Sequence, residues 1–329
     1  MIDDRLLSIL SNGQFHSGQE LGERLGVSRS AIWKQMKELE QLGVDIYSIR
    51  GRGYRIPGGL DLLCEKQIVT GCSELASSRL TTISLERVVD STNMMAMREI
   101  HQQNIISGRL YLAEYQAAGK GRRGRTWVSP FAKNLYFSLV WRFTQGAAAL
   151  EGLSLVVGLA LVKALSSLGV SRVQVKWPND LLVDSKKLAG ILLEMHGDAS
   201  GECQVVIGVG VNVAMPAQSE EGIGQPWTDL QRLTNGDISR NQLMSEVLNH
   251  LVPELDRFSE HGFAVFREEW QQVHAFQNET VRLMLGSKEI VGECQGVDDR
   301  GALMVRHGGV VEHFHAGEIS VRRQHESGY

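Results

Sequence analysis

Residues 115–127 read Tyr115-Gln116-Ala117-Ala118-Gly119-Lys120-Gly121-Arg122-Arg123-Gly124-Arg125-Thr126-Trp127. Gly119, Gly121 and Gly124 spell G-x-G-x-x-G. In a dinucleotide-binding fold that run must follow a strand, open a helix and precede an acidic residue about 20 positions on. Only the strand is met, by Arg109-Leu110-Tyr111-Leu112-Ala113-Glu114. Thr126-Trp127-Val128-Ser129-Pro130 starts no helix that packs on a sheet, the next strand-like run begins at Asn134, and position 144 is a threonine. A doubly wound dinucleotide fold is therefore set aside. What remains is a mobile loop in which glycines allow φ > 0 and close backbone approach. Its cations, Lys120, Arg122, Arg123 and Arg125, supply donors that match phosphate oxygens. Such a loop suits a phosphate-bearing molecule that must be shielded from water.

At 329 residues the chain has room for two or three domains. Its net charge of −4 requires any nucleic-acid contact to come from a local patch. No apolar run reaches membrane-spanning length; the best, Leu153 to Leu165, is broken by Ser154 and Lys163. Met1-Ile2-Asp3-Asp4-Arg5 is acidic where a secretory signal is basic. Cys64, Cys72, Cys203 and Cys294 lack C-x-x-C or zinc spacing, so reduced thiols in a cytoplasmic protein are expected.

The first 57 residues read as a self-contained unit. Leu6, Leu7, Ile9 and Leu10 give a short helix ended by Asn12-Gly13. Ser17-Gly18-Gln19-Glu20 has capping-box spacing and starts a second helix that Gly26 ends. Ser28 caps a third helix, Arg29 to Leu42, with Ile32, Met36 and Leu39 on one face. Val44–Ile49 and Tyr54–Pro57 flank Arg50-Gly51-Arg52-Gly53 and read as a hairpin. Helix, glycine turn, helix and hairpin make a winged helix-turn-helix. Residues 27–57 hold six cations (Arg29, Lys34, Lys37, Arg50, Arg52, Arg55) against three acids, a net +3 split between third helix and wing. That placement suits two phosphate strands. Ser28, Arg29, Ser30, Lys34, Lys37, Arg50 and Arg52 are the candidate DNA contacts; a solvated helix face is the plainer alternative.

Pro57-Gly58-Gly59 is a short hinge. From Leu60 to about Phe276 strand-like runs (Ile83–Val89, Arg109–Glu114, Leu135–Trp141, Val173–Trp177, Leu188–Met195, Val205–Val213) alternate with helical ones (Thr92–Ile100, Leu150–Leu168, Asn241–His261, Val265–Gln272). This predicts an α/β or α+β sheet domain. Ser219–Pro226 reads as a surface loop. From Glu279 short strands with glycine turns predict a small all-β barrel of about fifty residues.

Four further segments stand out. Val89-Asp90-Ser91-Thr92-Asn93 puts hydroxyl and amide groups at a strand end and helix cap. Val175-Lys176-Trp177-Pro178-Asn179-Asp180 ends a strand with a cation and an indole, expected to form a ligand wall. Lys186-Lys187-Leu188-Ala189-Gly190 sets Lys187 at a strand mouth, with Gly190 permitting close approach. Gly208-Val209-Gly210-Val211-Asn212 is a buried strand ending in an amide.

With the basic glycine loop, and in this order, these segments resemble the biotin protein ligases. The N-terminal unit makes the chain similar to the bifunctional type that also represses a biotin operon. The resemblance covers essentially the whole chain. It implies a multidomain α+β protein: residues 1–59 a winged helix-turn-helix, 60–276 an α/β ligase domain with a mixed, class II synthetase-like sheet, and 277–329 an SH3-like β-barrel. It implies synthesis of biotinoyl-5′-AMP from biotin and ATP. Transfer to a lysine of the biotin carboxyl carrier protein of acetyl-CoA carboxylase would follow. Magnesium would ride on the ATP phosphates. Neither step demands an enzyme nucleophile, and none is apparent.

The resemblance also implies roles. Ser91, Thr92 and Gln116 would bond the ureido ring and its neighbours, within a biotin subsite that includes Asn93, Gly119, Lys120, Gly121 and Gly190. Trp127 would line its apolar part. Arg122 would contact the carboxylate or α-phosphate, and Lys187 would stabilise charge at their junction. Arg125, Lys176, Asn179, Asp180, Asn212 and Arg322 would shape the ATP side, with Asp180 the candidate to organise magnesium. Lys120 stands where the family often has arginine, keeping the charge but losing bidentate geometry. Operator DNA and, with adenylate bound, a second copy of the chain are the implied partners. A lipoate-type ligase and a non-catalytic ligand-sensing repressor are the rival readings.

Overall fold

The computed structural model describes residues 2–102, 107–146, 150–197, 201–217, 223–234, 238–286, 288–316 and 319–323. Ser219–Gly222 of the expected loop, Ser287 of an expected turn, and Gly317 and Glu318 lie outside the described residues.

The chain opens with α1 (Asp4–Leu10), α2 (Gly18–Leu25) and α3 (Arg29–Gln41), then a hairpin of β1 (Tyr47–Ile49) and β2 (Gly53–Arg55). Local chemistry sets the boundaries. The Ser17 side chain accepts the Glu20 N–H and Ser28 accepts the Ala31 N–H, each satisfying a donor at a helix start. Gly26, at φ +72°, ends α2 in the left-handed conformation. Leu6, Leu7, Leu10, Leu21, Ile32, Met36 and Leu39 fill the core. This unit does not close its core alone. Phe131 and Ala132, 2% and 6% exposed and far along the chain, belong to the same apolar cluster.

After α4 (Glu65–Gly71) and α5 (Glu74–Arg79) comes the sheet domain. Its elements are β3 (Thr82–Glu86), α6 (Thr92–Gln102), β4 (Arg109–Ala113), β5 (Leu135–Phe143), α7 (Leu153–Ser167), β6 (Gln174–Lys176), β7 (Asp180–Val183), β8 (Lys186–Gly197) and β9 (Cys203–Val211). Then follow α8 (Leu230–Leu233), α9 (Arg240–His261) and α10 (Arg267–Gln272). The seven strands run in the order β3-β4-β5-β9-β8-β7-β6. Only β3 and β4 pair in parallel, so the sheet is mixed. Side chains alternate between faces. Leu110, Leu112, Phe137, Leu139, Ile191, Ile207 and Val209 face the large core with α7 and α9. Tyr111, Val140 and Val206 face α6.

The C-terminal unit is a five-stranded antiparallel sheet of β10 (Thr280–Leu285), β11 (Lys288–Val297), β12 (Leu303–His307), β13 (Val310–Phe314) and β14 (Ile319–Arg323), ordered β13-β12-β11-β10-β14. It is docked to the sheet domain: the Trp177 Nε1–H donates to the Gly301 carbonyl (3.0 Å), and Arg267 Nε to the Val297 carbonyl (2.8 Å).

Candidate active site

The α6 face of the sheet carries a hollow carved by glycines. Gly190 and Gly210 are cross-strand partners on β8 and β9, and Leu192 pairs with Gly208. A Cβ at Gly210 would lie 2.5 Å from the Trp127 ring, one at Gly190 3.0 Å from it, and one at Gly208 2.0 Å from Asn93 Oδ1. The missing side chains therefore let the indole and the amide lie against bare strand backbone. The pocket, about 460 Å³ with its solvent-open mouth, is lined at its ends by Ser91, Thr92, Asn93 and Gln116 and by Arg122 and Lys187.

The first end is polar and interlocked. Val89 and Ala117 join the chain after β3 to the chain after β4: Val89 N–H donates to the Tyr115 carbonyl and Ala117 N–H to that of Val89. This sets Gln116 beside the start of α6. Gln116 Oε1 accepts the Thr92 N–H (2.9 Å), and its Nε2 donates to Ser129 Oγ (3.1 Å). Ser138, on β5, has its Oγ 2.8 Å from Thr92 Oγ1 and 2.6 Å from Asn93 Oδ1. Asn93 Nδ2 donates to Glu194 Oε2 (2.7 Å). These groups are held by each other, so a neutral polar ligand meets donors and acceptors already oriented.

The second end is cationic. Lys187 Nζ lies 2.8 Å from Asp180 Oδ1, both side chains about one-sixth exposed (16% and 17%), and 5.3 Å from the Trp127 ring centre. Its backbone is clamped: Lys187 N–H donates to the Pro226 carbonyl, while its own carbonyl accepts from Thr228 N–H and Asn212 Nδ2. The expected mobile loop is here a small hairpin. Trp127 N–H donates to the Gly119 carbonyl (2.8 Å), Gly121 N–H to that of Arg125 (2.7 Å), and the tip 122–124 is a 3₁₀ turn. A Cβ at Gly119 would sit 2.6 Å from the Trp127 carbonyl, so this close base admits only glycine. From the tip, Arg122 Nη1 donates to Asn179 Oδ1 (3.0 Å), while Asn179 Nδ2 is tied to the Ile191 carbonyl (2.8 Å). Burial pushes the Arg122 guanidinium below its ordinary pKa, opposed by the Asp180 carboxylate. An arginine remains a cation under such a shift.

Outside the pocket, Arg29, Ser30, Lys34, Lys37, Arg50 and Arg52 lie exposed on α3 and the wing. Arg52 stacks on the Phe15 ring (4.4 Å). Ser28, also exposed, caps α3 and has its Oγ 2.9 Å from Ser30 Oγ.

Family models match in chain order: an HTH domain over residues 4–55, the Biotin/lipoate A/B protein ligase family over 85–212, and the Biotin protein ligase C terminal domain over 277–322. The chain is 42% identical over 318 residues to the bifunctional ligase/repressor BirA of Escherichia coli (strain K12), covering 97% of this chain and 96% of that one. The chain belongs to the BirA ligase/repressor family. It is also 38% identical over 224 residues to the biotin–[acetyl-CoA-carboxylase] ligase of Paracoccus denitrificans, covering 66% of this chain and 91% of the relative. Among solved structures, the biotin protein ligase from Aquifex aeolicus in complex with biotin and ATP superposes with a TM-score of 0.63 at 28% identity, covering 74% of this chain and all (100%) of that one.

In this BirA-family chain the pocket gathers Ser91, Thr92, Asn93, Gln116, Lys120, Gly121, Arg122, Trp127, Asn179, Lys187 and Gly190. Asp180 joins them through Lys187. Gly119 and Arg125 line an adjoining hollow that shares Lys120, Gly121 and Arg122 with the pocket. Lys176 lies over the Phe276 ring (5.6 Å), and Arg322, on β14, sits opposite Arg282 on β10; neither lines the pocket. Trp177 is not a ligand wall: it is buried, with its indole N–H committed to the β-domain. Asn212 is buried behind Lys187, its Nδ2 committed to the Lys187 and Thr228 carbonyls. Sequence reasoning missed Ser129, Ser138, Leu192, Glu194, and the reason for Gly208 and Gly210. Two signals were available. Ser138 interrupts the apolar run Leu135–Trp141, and Gly208-Val209-Gly210-Val211 alternates glycine on one face with valine on the other.

Proposed function

We infer that the pocket joins biotin to ATP as biotinoyl-5′-AMP, with pyrophosphate leaving, and then passes the biotinoyl group to a carrier lysine. One observation carries this: Arg122 from the flap and Lys187 from β8 converge on one end of a hollow whose other end is lined by oriented hydroxyl and amide groups, Ser91, Thr92, Asn93 and Gln116. A carboxylate activated by phosphate needs that polarity. The ureido ring would exchange bonds with Ser91, Thr92, Asn93 and Gln116. The thiophane and valeryl chain would lie along Trp127 and the bare strands at Gly190 and Gly210.

The chemistry follows from charge. As the carboxylate attacks the α-phosphorus, negative charge grows on phosphate oxygens that Lys187 Nζ and Arg122 are placed to receive. Fixed, partly desolvated cations stabilise such charge more than water does. In the second step the carrier amine attacks the acyl carbon, and AMP leaves with the electron pair of the C–O bond. Positioning and electrostatics suffice, as expected where no enzyme nucleophile is used. Asn212 supports Lys187 from behind. Arg125, Lys176 and Arg322 would act on the nucleotide side only once ATP or carrier protein brings them nearer. Magnesium fits as a companion of ATP: Asp180 is the acid at this end, and among the described residues no cluster of three or more His, Cys, Asp or Glu forms a protein-only metal site. Bound there, the ion would neutralise phosphate charge.

The same reading gives residues 1–59 to operator DNA of a biotin operon, 60–276 to ligation and 277–329 to a supporting β-domain, in a cytoplasmic protein. No helix of the described residues is long and apolar enough to cross a membrane. Adenylate would act as corepressor by favouring a homodimer that spans two half-sites. The carrier would be the biotin carboxyl carrier protein of acetyl-CoA carboxylase. Incubation with biotin, Mg–ATP and that carrier, read by mass, tests the reading. A biotin adduct on one carrier lysine is expected. No biotin adduct, or a parallel incubation in which lipoate in place of biotin is the acid transferred, would overturn it.

A further inference from the structure

One exposed aromatic on α3 is used neither by ligation nor by the phosphate contacts. Trp33 is 55% exposed, beside Ile32 and Met36, which are buried in the winged core. Trp33 and Tyr47 (57% exposed) are the two aromatics among the exposed large hydrophobic side chains of the described residues, and both lie in the winged unit. An isolated exposed apolar residue needs no explanation. Trp33 is not isolated in character: its helix-surface neighbours one turn away, Arg29, Ser30 and Lys37, are the candidate DNA contacts, all exposed. It is also in the N-terminal half of α3 (Arg29–Gln41), the half that reaches base edges when a recognition helix enters the major groove.

We propose that Trp33 is a base-reading residue of this chain, packing its indole on a thymine C5-methyl in the major groove. This rests on the winged unit binding operator DNA. A duplex supplies both complements at once: phosphates for Arg29, Lys34 and Lys37, and among base edges an apolar group only on thymine. The indole is a donor and never an acceptor. Its Nε1–H finds the thymine O4 or a neighbouring purine N7, whereas a cytosine amino group at that place is left unpaired. Trp33 thus selects thymine by attraction and rejects cytosine by an unmet donor.

The test uses the full chain with biotin and Mg–ATP and a randomised duplex pool. The wild type should select thymine at one position of each half-site. Replacing that thymine by deoxyuridine, which removes only the methyl, should weaken wild-type binding about tenfold, the scale of one lost base contact. Trp33→Ala, with its melting temperature as the fold control, should bind the thymine and uracil duplexes alike. Its affinity for unselected duplex should stay within about threefold of wild type, because phosphates carry non-specific binding. A Trp33→Ala chain that keeps the thymine-over-uracil preference overturns the proposal. If it keeps that preference and loses self-association in sedimentation, the indole belongs to a protein contact. A wild type that selects no sequence fails earlier, at the DNA reading itself.

Discussion

The α3 face and the pocket both carry cations suited to phosphate, yet they hold them in opposite ways. Arg29 and Lys34 stand in water at the protein surface. Arg122 and Lys187 are partly desolvated and already engaged, by Asn179 and Asp180. Exposed charges act through long-range attraction and released counterions, so they bind tightly but yield to salt. Partly buried charges act over short distances in fixed geometry. They are costly to place, and so are held by partners until substrate displaces them. On the proposed reading, one chain uses the same chemistry for a reversible grip and for catalysis.

Salt should expose the contrast most strongly. With Arg29, Lys34, Lys37, Arg50 and Arg52 doubled in a dimer, operator affinity should fall about 10³-fold or more between roughly 50 and 200 mM salt. Adenylate synthesis should change by less than about threefold, because buried pairs are poorly screened. Equal slopes would erase the distinction. Acid should separate the regions next. His274 packs on Trp270 behind β6, and burial lowers its imidazole from 6.5 to about 4. The unfolded chain takes up that proton first. Stability is therefore full above about pH 6.5 and falls by about 3 kcal/mol as pH drops toward 4. His274→Gln should flatten that limb in urea titrations; an unchanged profile refutes the assignment.

Lys187→Met should cut adenylate synthesis about 10²-fold while the melting temperature holds. Near-normal pyrophosphate release would remove Lys187 from the chemistry. Gly210→Ala puts a methyl 2.5 Å from the Trp127 ring, so the indole must shift. An overpacking cost of about 1–3 kcal/mol predicts a biotin KM roughly tenfold higher, with kcat less affected. Ser138→Ala removes one hydroxyl from the cluster at Thr92 and Asn93, which should weaken biotin binding about fivefold, near 1 kcal/mol. Calorimetry with biotin alone measures it, and an unaltered affinity would show that Asn93 needs no such support.

Much of this molecule was legible in order along the chain. Ser17, Gly26 and Ser28 mark the helix-turn-helix by themselves because capping and left-handed glycines act within a few residues. The strand runs at Arg109–Glu114 and Leu135–Trp141 appear as β4 and β5. Less legible were short elements whose stability comes from neighbours. β7 pairs between β6 and β8, and β14 pairs on β10, yet neither has the length or pattern to announce itself. α4 and α5 pack on α9, a partner 176–177 residues away. The winged unit shows the same limit: its apolar spacing was readable, but Phe131 and Ala132 complete its core from beyond the flap.

The sequence alone determined the chemistry on hand: a cationic glycine loop, lysines at strand mouths, hydroxyls and amides at a helix start, and a basic winged unit. Those are properties of residue type and short spacing, and they survive without knowledge of the third dimension. Tertiary structure alone decided which groups meet. Strand register set Gly190 opposite Gly210 beneath Trp127, turned Ser138 toward Asn93 and sent Trp177 inward to the β-domain. A shift of one residue in a strand exchanges its faces. That register is fixed by the packing of the whole sheet, which no local stretch of sequence contains.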